Sequence, residues 1–196
     1  MLKRLLGRGR LFFAVRAAGM AFRRRRLGLR HVHRTFYACA GSDISSDLVA
    51  GPYSFMREGC SIGAGVRLGR YAMVGRGVSI VGGEHVTDRP GVPVVYAGWG
   101  PVPVTTIGDD AFVGEGSIVI RGVSIGDGAI IGAGAVVTHD VPPFEVWAGV
   151  PARRVGRRFA DEAQQADHLR MLKGPLLDPD ACPFENAFGP RRDRPR

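Results

Sequence analysis

Residues 105–140 read TTIGDDAFVGEGSIVIRGVSIGDGAIIGAGAVVTHD. From Ile107, every sixth residue is aliphatic: Val113, Val119, Ile125, Ile131 and Val137 follow it. Gly108, Gly114, Gly126 and Gly132 stand directly after members of that set. A period of six matches neither the 3.6 of an amphipathic helix nor a long run of simple alternation. It predicts a solenoid of very short strands joined by turns. One aliphatic side chain per repeat points inward and stacks on its neighbours in the coils above and below.

The same period runs upstream. Ile44, Ala50, Met56, Ile62, Leu68, Val74 and Ile80 are spaced by six, and Gly51, Gly63, Gly69 and Gly75 follow members of that set. Glycine makes up 29 of the 196 residues, about twice the usual share of about 7%. No collagen period accompanies it. The glycines, with Asp109, Asp110 and Asp127, suit tight corners where φ is positive. Helix is opposed by glycine density and β-branched content. An antiparallel sandwich would need turn signals at longer intervals.

Ile80 and Ile107 are 27 residues apart, which is not a multiple of six. Residues 81–106 therefore form a 26-residue insertion, VGGEHVTDRPGVPVVYAGWGPVPVTT. A long irregular loop inside a regular solenoid is costly to order and is usually functional. Pro142 and Pro143 end the regular coil. Residues 158–173 read as a helix because Ala, Glu, Gln and Leu are good formers. The expected organisation is an N-terminal arm or cap over 1–43, a β-helix over 44–152, a helical segment over 153–173 and a tail over 174–196.

Charge is unevenly spread. The chain carries 27 Lys and Arg against 18 Asp and Glu, a net +9. Residues 1–30 hold ten of those cations and no acid. The remainder is close to neutral, which argues against a nucleic-acid partner for the core. In a helix, Leu2, Leu5, Leu6, Phe12 and Phe13 fall roughly on one face, with Lys3, Arg4, Arg8 and Arg10 mostly elsewhere. Such a segment, within residues 1–26, suits either peripheral contact with an anionic membrane or a cap on the end of the solenoid. The apolar run Leu11–Phe22 is interrupted by Arg16 and is shorter than the roughly 20 residues a bilayer needs. No secretory signal with a small-residue cleavage site is evident. Cys39, Cys60 and Cys182 lie far apart and are odd in number, so we read them as reduced thiols in a cytoplasmic protein.

The stretch from Thr105 to Phe159, with RLGRYAMVGRGVSIVGGEH at 67–85, resembles the hexapeptide-repeat acetyltransferases. The resemblance covers residues 44–172. The nearest branch is the xenobiotic and polysaccharide O-acetyltransferases, which include the chloramphenicol and streptogramin enzymes. It implies an all-β, left-handed parallel β-helix with three hexads per coil, a homotrimer with active sites between subunits, and acetyl-CoA as co-substrate.

A hydroxyl that attacks a thioester needs a base to take its proton, and imidazole has a suitable pKa. Of His31, His33, His85, His139 and His168, only His85 lies at the mouth of the long loop. It also falls where the family's catalytic histidine falls. Glu84, Asp88 or a backbone carbonyl could hold its other ring nitrogen, and a backbone N–H is the expected oxyanion donor. By resemblance, Glu115 and Ala133 lie along the pantetheine of acetyl-CoA, Thr138 and His139 near its outer end, and Arg153, with Arg157, near its phosphates. The family often has Lys in place of His139 and Trp in place of Phe112. Tyr96 and Trp99 in the loop are expected to stack on the acceptor.

The preferred acceptor is a sugar hydroxyl on a surface glycan or its precursor; the alternative is a drug hydroxyl. A non-catalytic scaffold would need neither a histidine-bearing loop nor a basic phosphate-binding end. No metal is expected. The zinc-dependent carbonic anhydrases built on this fold need an H-x-x-x-x-H pair, and the only close histidines here, His31 and His33, precede the first repeat.

Overall fold

Two side chains per hexad point inward, not one. Both sets of every-sixth residues are buried. So is a second set two positions earlier: Leu48, Ser54, Cys60, Val66, Ala72 and Val78 before the insertion, and Thr105, Ala111, Ser117, Val123, Ala129 and Ala135 after it. Side chains alternate along a strand, so one outward residue separates the two inward ones. The second set mixes Leu48, Val66, Val78 and Val123 with Ser, Thr, Cys and Ala, which hides it from a search for aliphatic periodicity. Its polar members are satisfied. Ser54 Oγ donates to the Gly51 carbonyl at 2.7 Å and Ser117 Oγ to the Gly132 carbonyl at 2.9 Å, and Thr105 Oγ1 accepts the Gly122 N–H at 2.8 Å. None is left buried without a partner.

The computed structural model describes residues 10–82 and 85–177, with side chains from residue 18 onward. Helix α1 (Arg10–Arg26) precedes the first coil, which holds β1 (His31–Val32), β2 (Tyr37–Ala38) and β3 (Asp43–Ile44). The second coil holds β4 (Val49–Ala50), β5 (Phe55–Met56) and β6 (Ser61–Ile62). The third holds β7 (Val66–Leu68), β8 (Met73–Val74) and β9 (Ser79–Val81). After the insertion come β10 (Thr105–Ile107), β11 (Phe112–Val113) and β12 (Ile118–Ile120), then β13 (Ser124–Ile125), β14 (Ile130–Ile131) and β15 (Val136–Val137). Strand β16 (Glu145–Ala148) begins a sixth turn, and β17 (Arg153–Arg157) folds back antiparallel on it.

Equivalent strands pair in parallel into three sheets: β1-β4-β7-β10-β13, β2-β5-β8-β11-β14-β16 with β17 at the edge, and β3-β6-β9-β12-β15. Partners such as Val49 with Arg67 and Ile118 with Val136 are 18 residues apart, so each coil is three hexads. This is an all-β parallel solenoid with the architecture of a left-handed β-helix.

Three boundaries, and the reading of the corners, differ from the expectation. The solenoid starts at His31, not at residue 44, because Val32 and Ala38 continue the six-residue set backward and Phe36 is buried beside them. The insertion is shorter than 81–106. Val81 pairs with Ile120, and Thr105 and Thr106 pair with Val66 and Arg67, so the irregular part is 82–104. Residues 153–157 are strand rather than helix. Helix α2 (Glu162–Lys173) begins only after Asp161, whose carboxylate accepts the Gln164 N–H at 2.8 Å as its N-cap.

The fourth difference concerns the corners. The glycines that follow the core residues are not there for positive φ. A Cβ on Gly69 would meet the Asp109 nitrogen at 2.6 Å, and one on Gly108 would meet the Asp127 nitrogen at 2.6 Å. Adjacent coils leave no room for it. Asp109 and Asp127 serve as acceptors across the same gap. Asp109 Oδ1 takes the Arg70 N–H and Asp127 Oδ1 the Asp109 N–H, each at 2.8 Å. Of the three aspartates, Asp110 alone has positive φ, at 52°.

Helix α2 is docked on this corner. Asp110 Oδ2 lies 2.8 Å from both Arg158 Nη2 and His168 Nε2, and Arg70 donates to the Gly174 carbonyl at 2.9 Å. At the other end, α1 closes the first coil. Met20 is buried in the core cluster, its sulfur accepts the Ala38 N–H at 3.5 Å, and Arg23 donates to the Ala38 carbonyl. This is the capping role. Residues 1–9 and the side chains of residues 10–17, on which the membrane-facing reading depends, lie outside the described residues. No helix among the described residues is long and apolar enough to cross a membrane.

Ile131 is fully buried, so Ile131→Asp should abolish cooperative folding by circular dichroism, because an unpaired carboxylate would enter an apolar core. Gly108→Ala should lower the melting temperature measurably, while Gly156→Ala, with nothing within 4 Å of its added Cβ, should not. Equal melting temperatures for the two glycine variants would contradict the close-approach reading.

Burial, with the nearby Asp127 carboxylate adding to it, raises the Asp109 pKa. A carboxyl raised in the folded state costs stability above its unfolded pKa of about 3.9 and costs nothing well below it. Asp109→Asn keeps an oxygen for the Arg70 N–H. It should therefore raise the melting temperature at neutral pH relative to the wild type, with the difference vanishing near pH 3. Thermal melts at the two pH values check this.

Candidate functional site

The loop leaves the third sheet after β9 and is pinched shut at its neck. His85 and Trp99 form an antiparallel bridge, and the Val86 N–H donates to the Gly98 carbonyl at 2.9 Å. Gly98 has φ +85, which lets the returning chain turn into that bridge. A short 3-10 turn, Val94–Tyr96, precedes it, and Ala97 is buried beneath. The imidazole of His85 stacks on the indole of Trp99, with ring centroids 4.3 Å apart and planes inclined by 28°. His85 Nδ1 is fully buried and has no hydrogen-bond partner among the described residues. Asp88 is exposed and makes no described bond to His85. Glu84 lies outside the described residues.

At the foot of the loop is an open groove of about 650 Å³ lined by Pro103, Ile120, Arg121, Gly122, Val123, Thr138, His139 and Asp140. Its walls are tied together locally. Thr138 Oγ1 and His139 Nδ1 are 2.8 Å apart, and Asp140 Oδ1 accepts the Ser124 N–H at 2.7 Å. Arg121 escaped the sequence reading. Its guanidinium packs over Gly63, where a Cβ would collide with Nη2, and its Nε is buried without a partner among the described residues. The glycine at residue 63, two coils away in the register, was the available signal.

The residues expected to hold CoA do not all converge within one chain. Glu115 and Ala133 occupy successive coils at the corner between the second and third sheets, joined by the Gly134 N–H to the Glu115 carbonyl at 2.8 Å. Arg153 continues that row, because it pairs with Ala148, whose Cβ faces Gly132. Its side chain is exposed and returns to the Ala152 carbonyl at 2.8 Å. Arg157, at the far end of β17, is also exposed. The Glu115 carboxylate sits 3.8 Å from Arg57, beside the Arg57–Glu58–Arg76 ion pairs. Thr138 and His139 lie at the opposite edge of the third sheet, with the groove and the loop.

Tyr96 is 79% exposed and touches no described ring. Trp99 is 73% exposed, but one of its faces is covered by His85. Phe112 points outward from the second sheet in register with Met73 and Ile130. Among the described residues, no group of three His, Cys, Asp or Glu side chains is placed to hold a metal ion.

Comparison with known proteins fits this geometry. Residues 104–139 match the family described as "Hexapeptide repeat of succinyl-transferase". The match falls on the repeats that follow the insertion, and the six-residue repeat itself runs through the coils on both sides of it. It is 33% identical over 107 residues to a chloramphenicol acetyltransferase of Agrobacterium fabrum, covering 53% of this chain and 51% of that one. The chain thus spans about half the length, or less, of the curated relatives it matches. Among solved structures, it resembles a hexapeptide-repeat acetyltransferase from Vibrio cholerae complexed with acetyl-CoA, at TM-score 0.59 and 21% identity over 72% of this chain and 78% of that one. It also resembles a maltose O-acetyltransferase from Clostridium difficile, at TM-score 0.51 and 26% identity over 68% and 72% of the two chains.

Proposed function

We propose that this hexapeptide-repeat protein is an acetyl-CoA-dependent O-acetyltransferase, with His85 as general base and a sugar hydroxyl of a surface glycan or its precursor as acceptor. The observation that carries the proposal is the imidazole held at the neck of a loop whose foot, at Pro103, lines an open groove, in a chain whose relatives are named for acetyl transfer. Nδ1 is buried, so Nε2 is the nitrogen that meets substrate. It takes the proton of the acceptor hydroxyl as that oxygen attacks the thioester carbonyl. Collapse of the tetrahedral intermediate breaks the carbon–sulfur bond, and the imidazolium returns the proton to the departing thiolate of CoA. The oxyanion calls for a backbone N–H donor outside the glycines that follow the core residues, whose N–H groups already bond the next coil, as Gly114 does to the Ile131 carbonyl.

The active unit in this reading is a homotrimer. The row Glu115, Ala133 and Arg153 lies on one corner of the prism, while Thr138, His139 and His85 lie at another. A CoA that touches both sets runs between two subunits, pantetheine along the row of one and thioester beside His85 of its neighbour. A second reading, a drug hydroxyl as acceptor, is favoured by the 33% identity to a chloramphenicol acetyltransferase.

The test is release of free CoA from acetyl-CoA in the presence of sugar acceptors and of chloramphenicol. His85→Ala should keep the fold and acetyl-CoA binding while the rate falls by about 10²–10⁴. Retention of more than about a tenth of the rate would remove His85 from the role. Turnover with chloramphenicol but with no sugar would select the second reading. An active monomer by light scattering would overturn the trimer.

A further inference from the structure

The loop tryptophan was expected to serve as a platform for the acceptor. Its place in the structure gives it a different task. A histidine that works as a base is ordinarily held by an acceptor on its second ring nitrogen, which fixes tautomer and orientation. Among the described residues His85 has no such acceptor: Nδ1 is buried and unpartnered, and Asp88 stands out in solvent. Packing is the orienting contact that the described residues supply.

Trp99 is the described residue whose ring packs on it. The two rings are stacked at 4.3 Å, and the two backbones are bridged, so indole and imidazole cannot move independently. The Val86–Gly98 hydrogen bond fixes the register of that bridge. We propose that Trp99 is the positioning residue of His85: the indole is a roof that covers Nδ1, aims Nε2 outward and stabilises the imidazolium formed when the acceptor proton is taken. The proposal rests on the acetyl-transfer reading above. The stacked face of Trp99 is occupied by the base, so the effect of removing the indole falls on turnover rather than on acceptor affinity. An indole face beside a cation is attractive, and a phenyl ring keeps part of that attraction.

The experiment uses the full chain and four variants: His85→Ala, Trp99→Ala, Trp99→Phe and the double variant His85→Ala/Trp99→Phe. Steady-state kinetics and tryptophan emission are both recorded. Trp99→Ala should lower kcat about ten- to a hundredfold, with KM for acetyl-CoA and for acceptor within about twofold, and Trp99→Phe should recover most of kcat. His85→Ala should change the emission when Trp99 is present and leave it unchanged in the Trp99→Phe background. That difference reports the stacking whether or not an acceptor has been found.

Two results overturn the positioning role alone: His85→Ala is inactive but Trp99→Ala keeps kcat and raises only the acceptor KM, or the emission ignores His85→Ala. If His85→Ala keeps full activity, the base assignment fails and the positioning role fails with it.

Discussion

Successive coils of this protein approach so closely that their backbones leave no space for a β-carbon at the corners. Gly69, Gly108 and Gly126 face the neighbouring backbone at distances no Cβ tolerates. That proximity lets each two-residue strand bond to its equivalent 18 residues away. It also puts Asp109 and Asp127 within reach of the backbone N–H groups of the coil before them. Hydrophobic burial follows from the same stacking. A hexad alone exposes its two inward side chains, and only the coils above and below remove them from water. The end coil needs a substitute neighbour, which α1 supplies through Met20.

A rigid prism leaves chemistry to what projects from it. The one long interruption leaves from the third sheet, and its irregular residues 82–104 are closed by the bridge between His85 and Trp99. The histidine is therefore carried at the neck of the loop, bridged to Trp99, rather than out at its tip. The tip, with Tyr96 exposed, is free to vary without disturbing it. The other ligand-binding candidates sit on corners, which repeat along the prism, and so Glu115, Ala133 and Arg153 form a row.

The parts of this arrangement that were legible in the sequence are those governed by periodicity. The aliphatic set from Ile44 to Ile80 and the set from Ile107 to Val137 gave the core, and their mismatch of phase gave the loop. The second inward set stayed hidden because Ser54, Ala72 and Thr105 share volume rather than hydrophobicity. Strand β17 stayed hidden because RRVGR has no pattern of its own and is made a strand by pairing with β16. The His85–Trp99 stack was also out of reach. Thirteen residues of irregular loop separate the two, and nothing local predicts that the chain returns. Arg121 shows the reverse case: its place is recorded in a distant glycine, Gly63, which only the register of the solenoid connects to it.

The central claim is that His85 meets the acyl carrier at the neck of the loop, between two copies of the chain. A crystal structure of the full chain with CoA bound tests it most directly. The sulfur should lie within about 4 Å of His85 Nε2, close to hydrogen-bond reach, with the pantetheine along Glu115 and Ala133 and the phosphates near Arg153 of an adjacent subunit. A CoA held entirely by one chain, or a sulfur about 10 Å or more from His85, too far for proton transfer even through one water, would contradict it.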